Sequence, residues 1–174
     1  MKYNEQQQIN RLRFNFSHDL NEQFSLKSRL ELSFYSKQGS EKGILICQDV
    51  FFTPTERPFS MNGRFAYFHT EGYNSRLYAY ENDVLYSFSI PALYGHGIRS
   101  YLNFEQQLGD RITLWLKFAS IYKISQKDEE MAVDASTKSE IKIKLRYRFW
   151  IAIFALQILN LGWFIKLIST IFVH

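Results

Sequence analysis

A single cysteine, Cys47, leaves the chain unable to form an internal disulfide. The histidines, His18, His69, His96 and His174, share no metal-ligand spacing with it or with one another, and none has a serine and an acid spaced as in a nucleophilic triad. Ser87 sits in YSFSI and lacks the G-x-S-x-G elbow of hydrolases. Gly95-His96-Gly97 is too short for a phosphate loop and reads as a turn. Only three prolines occur, and two of them fall in TPTERP at 53–58, which excludes a central strand there. Up to residue 149 no stretch of useful length has the periodicity of an amphipathic helix. The first residues, MKYNEQQQINRLRF, have no apolar core of a secretory signal. These absences argue against a disulfide scaffold, a helical bundle and a motif-bearing catalytic or metal site. No enzyme activity, cofactor, metal or small-molecule substrate is expected.

Aromatic residues, in contrast, are plentiful at 17%, with 16 Phe and 11 Tyr. Strands favour them in soluble domains, and membrane barrels carry them as girdles at both bilayer interfaces. The net charge of +4, from 21 basic and 17 acidic residues, is too mild to imply nucleic acid by itself.

The clearest pattern is TKSEIKIKLRYRF at 137–149. Ile141, Ile143, Leu145, Tyr147 and Phe149 point one way, and Lys142, Lys144, Arg146 and Arg148 the other. One wall is apolar, the other wholly basic, and the length suits the ~9–11 residues of a tilted bilayer-crossing strand. Phe149 matches the terminal aromatic residue that closes outer-membrane barrels. Alternation recurs at 9–17, 24–35, 43–52, 59–69, 76–90, 99–108 and 111–122, giving eight extended runs joined by turns. The expected fold is all-β: an antiparallel up-and-down, outer-membrane-type β-barrel, partial, of seven to eight strands, over residues 1–149. Polar loops are expected at 36–43 and 125–137, and a loop at 91–97. Short turns belong on the periplasmic side and long loops outside. Counting back from Phe149, that rule fails if 76–90 crosses like the other runs. Residues 76–90 are therefore expected to form an extracellular hairpin turning at Glu81-Asn82-Asp83, or to fold inward. Seven crossings remain, and since single-chain bacterial barrels use even numbers, this chain is expected to be a fragment with strands missing from its front.

The polar face gathers Arg11, Arg13, Lys27, Arg29, Arg64, Arg99, Lys117, Lys142, Lys144, Arg146 and Arg148. If it lines a lumen, rings of Arg and Lys would select anions or tolerate nucleic acid. The alternative, which we favour, is a closed polar interior in which these cations pair with Glu31, Asp49, Glu81, Asp83 and Glu105. Glu81-Asn82-Asp83 is then an acidic cluster answering the arginines, or a turn, ahead of a ligand or metal site. Cys47 reads as an inert core thiol, and Gly63, on the apolar face, as the place of a bulge or a close neighbour.

Residues 150–174, WIAIFALQILNLGWFIKLISTIFVH, are long and apolar enough for a ~20-residue membrane helix. Three origins are open: a transmembrane or interfacial helix, a helix packed on the barrel, or non-native read-through beyond Phe149. If native, they make the inner membrane the alternative location to the outer membrane.

The run YNSRLYAYENDVLYSFSIPA at 73–92, with LWLK at 114–117 and TKSEIKIKLRYRF at 137–149, resembles the C-terminal β-barrel region of Gram-negative helix-hairpin-helix (competence DNA receptor-like) envelope proteins. The similarity spans residues 8–149. It implies a barrel segment with an anchoring or transport role, held in outer-membrane lipid and delivered to the barrel assembly machinery through its terminal strand. Nucleic acid would be bound only by the helix-hairpin-helix portion, which this chain lacks. The alternative is a soluble calycin-like barrel with an apolar ligand in its cavity, which requires the reverse polarity: apolar inside, charged outside. An outer-membrane enzyme is a third option and needs a Ser/His pair meeting at one rim.

Overall fold

The computed structural model of the protein describes residues 6–37, 39–126 and 133–149. They form β1 (Gln8–Asp19), β2 (Phe24–Ser36), β3 (Ser40–Phe52), β4 (Phe59–Thr70), β5 (Leu77–Tyr78), β6 (Ala92–Leu93), β7 (His96–Leu108), β8 (Ile112–Gln126) and β9 (Val133–Tyr147). No helix occurs among them. Seven strands make one antiparallel sheet in the order β1-β2-β3-β4-β7-β8-β9, so every pair is a chain neighbour except β4 and β7. Between those two, β5 and β6 form a small hairpin of their own. The apolar segment 150–174 lies outside the described residues.

Seven sheet strands and one diverted segment agree with the alternation. Residues 76–90 break their own apolar face at Glu81-Asn82-Asp83, and they fold back over one face of the sheet. The reversal differs from the sequence expectation. It lies at Val84 to Ser87, where the Ser87 amide donates to the Val84 carbonyl and Tyr86 takes a left-handed φ of 62°. Glu81 instead bridges Ser89, so the acidic run is an arm of the hairpin and not its tip.

The strands are also longer than expected. β3 begins at Ser40, inside the loop expected at 36–43. β8 and β9 extend to Gln126 and from Val133, so strand takes up much of the loop expected at 125–137. β7 starts at His96, within the loop expected at 91–97. Ladder hydrogen bonds are made by the backbone, so a register set by apolar pairs continues through polar residues once both strands run on. Gly63 sits in unbroken register between Val50 and Leu102, and the close neighbour is real: an added Cβ would lie 3.1 Å from the Tyr101 carbonyl oxygen.

Two faces result. The face under the hairpin buries Leu45, Cys47, Ala66 and Phe68 against Leu77, Ala79 and Leu93. The hairpin backbone comes so close that a Cβ on Gly43 would stand 2.5 Å from the Ser75 carbonyl oxygen. The opposite face is apolar and exposed: Phe14, Phe16, Ile46, Phe65, Leu102, Phe118, Ile141, Ile143 and Leu145 all point outward, Ile141 at 71% exposure.

Candidate functional site

Alternation places the charged residues on the face the hairpin covers, and the hairpin brings its acids to them. Glu81, which is buried, receives Nε and Nη2 of Arg99 at 2.8 Å each, and Nζ of Lys117 stands 3.4 Å away. Lys117 is 1% exposed; it donates to the Asn82 carbonyl at 2.9 Å and lies 3.3 Å from Asp83. Asp83 is bound by Lys142 at 2.8 Å and accepts the Val84 amide at 2.8 Å. Arg64 joins the sheet's own Asp49 at 2.7 Å to the hairpin, donating through Nη1 to the Tyr80 carbonyl at 2.6 Å. Asn103 bridges the Asn82 carbonyl at 2.9 Å and Asn62 at 3.0 Å. Residues 80–83 are thus held by side chains from β4, β7, β8 and β9. Unpaired, such buried charges would each cost several kcal/mol; paired and hydrogen-bonded, they fix one arrangement.

Asp83 carries the electrostatic signature of the clamp. Burial opposes its ionisation, but the hydrogen bonds from Lys142 and the Val84 amide and the charge of Lys117 outweigh that, so its pKa falls below the ordinary 3.8.

The other polar-face residues lie outside this cluster. Arg13 forms a bidentate pair with Glu31 at 2.7 and 3.0 Å, and Arg29 donates to Asn15 at 3.2 Å. Lys27 sits over the Phe51 ring, Lys144 over Tyr86 and Arg146 over Trp115. Arg11 is exposed on β1. Arg148 follows β9, its amide donating to the Arg111 carbonyl, with its side chain exposed. Glu105 is half-buried near the β7–β8 turn and makes no ion pair among the described residues. Cys47 is buried on the covered face. Sequence reasoning did not single out Tyr101, whose hydroxyl accepts the Asn82 amide at 3.3 Å, or Asn103, though both alternate onto the correct face. It also missed Glu41, which accepts the Asn74 and Ser75 amides at 2.9 and 3.1 Å and ties down the start of the hairpin. A glutamate in a run that reads as a glycine-bearing loop, 36–43, carries no signal of that contact. Among the described residues no three metal-ligating side chains group together.

The exposed apolar face has a geometry of its own. Its hydrophobic band does not follow one ladder row. Phe14, in the middle of the β1 run, is level across the sheet with Leu30, Ile46, Tyr67, Ile98, Tyr122 and Thr137. Thr137 lies about eight residues before Leu145, the middle of the β9 run, so the band slides diagonally over six strand-to-strand steps. At ~3.3 Å per residue and ~4.8 Å per step, the strands lean about 40° from the normal to the band. Along its lower edge Phe24 stacks on Phe52, Phe52 meets Phe59 edge-on and Phe59 contacts Phe104.

Comparison with known proteins gives no match: no family model, no curated protein and no solved structure matches the chain.

Proposed function

We propose that residues 6–149 form a stretch of wall of an outer-membrane-type β-barrel, an anchoring module without catalysis of its own, whose interior is filled by an ion-paired hairpin. The observation that carries this is the inverted polarity of the sheet. Charged Lys117, Glu81 and Arg99 are buried, while Phe16, Phe65 and Ile143 face outward. A calycin-like barrel needs the opposite. Water penalises so large a continuous apolar surface, and a contiguous exposed patch of this kind marks a membrane or protein contact. The diagonal of the band favours the membrane. Transmembrane strands tilt by ~35–45°, and a flat bilayer then cuts their ladders obliquely, as the band does here. The phenylalanine row supplies one aromatic girdle. The ion pairs favour a filled interior over an anion-selective pore, because Arg64, Arg99, Lys117 and Lys142 are already matched by carboxylates. In a parent protein of the helix-hairpin-helix kind, the wall would anchor a periplasmic DNA-binding portion.

The test is extraction and reconstitution. The chain should need detergent to stay monodisperse, enter phosphatidylcholine vesicles with β-rich circular dichroism, and give no single-channel steps. A monodisperse, detergent-free preparation would overturn the membrane reading; stable anion-selective steps would replace the filled interior with a pore.

A further inference from the structure

Both sheet edges, β1 and β9, have no ladder partner on their outer side among the described residues. Six antiparallel steps separate them, so they run in the same direction. Joining β1 to β9 would therefore make a parallel seam. A second copy offers no escape. Copies inserted with one orientation are related by rotation about the membrane normal, which preserves strand direction, so β1 meets β1 or β9 of a neighbour in parallel too. An antiparallel seam at both edges needs an odd number of strands of different sequence between them.

The side chains at the edges say what those strands carry. On the covered face, β1 presents Arg11 and Arg13, and β9 presents Lys142, Lys144 and Arg146. Glu31 answers Arg13, and Asp83 and Glu140 answer Lys142. Arg11, Lys144 and Arg146 have no acidic partner among the described residues. Arg146 reaches Thr113 through Nη2 at 3.3 Å, but its Nε is buried with no hydrogen-bond acceptor. That N–H has no acceptor among the described residues and is a donor that a carboxylate on an added strand could satisfy.

Resting on the membrane-wall reading, we infer that β1 and β9 are docking edges for an odd number of antiparallel strands, apolar outward and acidic inward, whose carboxylates meet Arg11 on one side and Lys144 and Arg146 on the other. Backbone ladders supply the affinity, and the inward carboxylates the selectivity, since charge-assisted bonds to guanidinium are the strong ones.

The experiment uses the full chain in detergent micelles and two fluorescent synthetic peptides of about ten residues, the length of a crossing strand. One alternates Leu with Glu, the other Leu with Lys. Fluorescence anisotropy should show the Leu/Glu peptide bound about tenfold more tightly or better, a difference of one decade in Kd. The Arg11→Gln/Lys144→Gln/Arg146→Gln triple variant should bind both peptides alike while keeping the parent circular dichroism. Equal binding of the two peptides by the unaltered, micelle-held chain overturns the inference. So does efficient disulfide crosslinking between cysteines placed on β1 of one copy and β9 of another, which would make the occupant a second copy. A chain that is monodisperse without detergent removes the membrane reading first, and the inference with it.

Discussion

Replacing Glu81 by glutamine tests the clamp directly. The substitution preserves shape and removes one negative charge from a buried carboxylate that faces Arg99 at 2.8 Å and Lys117 at 3.4 Å. Removing one partner of a buried ion pair costs about 3–5 kcal/mol, because the surviving charge is left without its counterion. The lower end applies here. The introduced amide would retain one carbonyl acceptor for Arg99, and Lys117 would keep Asp83 and the Asn82 carbonyl. A loss of about 3 kcal/mol, at a slope of ~2 kcal/mol per molar urea, lowers the unfolding midpoint by roughly 1.5 M. The assay is urea unfolding in lipid vesicles followed by tryptophan fluorescence, to which Trp115 reports from the covered face. Adding Arg99→Met to Glu81→Gln removes the orphaned cation and should recover at least about 1 kcal/mol, a non-additivity expected only of groups in contact. A midpoint unchanged by Glu81→Gln, or strict additivity in the cycle, would refute the view that this pair holds the hairpin.

Further outcomes test the other parts. Phe65→Lys, in the middle of β4 and 56% exposed, should destabilise the chain in vesicles by about 2–4 kcal/mol, the cost of a cation on the lipid face near the midplane; a change within about 0.5 kcal/mol is what a water-facing surface would give. The depressed pKa of Asp83 means that its contribution is fully present above the unfolded value of ~3.9 and is lost as pH falls through the lower folded value. Protection of the hairpin from protease at its exposed Tyr86 tip should therefore hold from neutral pH to about pH 4 and fail only below it, and Asp83→Asn should be cleaved faster at pH 7, with the gap to the parent closing in acid. Gly43→Ala should cost about 1–3 kcal/mol, because its Cβ would press on the Ser75 carbonyl oxygen at 2.5 Å and on Thr70; a neutral result would mean that the hairpin does not pack on β3 as described.

The alternation at 137–149 was sufficient to place β9 and to sort Ile141, Ile143 and Leu145 from Lys142, Lys144 and Arg146, because strand side chains alternate with a period of two and need no distant partner to do so. The same local rule assigned Arg64, Arg99 and Lys117 to one face and marked 76–90 as the run that breaks step. It could not say where strands stop: Val133 and Ser40 are in strand because their neighbours' backbones continue the ladder, which leaves no mark in hydrophobicity. Nor could it assign partners. Arg99 meets Glu81 across 18 residues of chain and Lys142 meets Asp83 across 59, and a list of acids and bases on one face fits many pairings. Tertiary structure decided those pairings, the hairpin's reversal at Val84 to Ser87 and the diagonal of the apolar band. Each depends on the register between strands, which is fixed by packing and backbone hydrogen bonds between segments far apart in sequence. Within the seven sheet strands, the face each residue occupies follows from the sequence alone, because it depends only on parity along the strand.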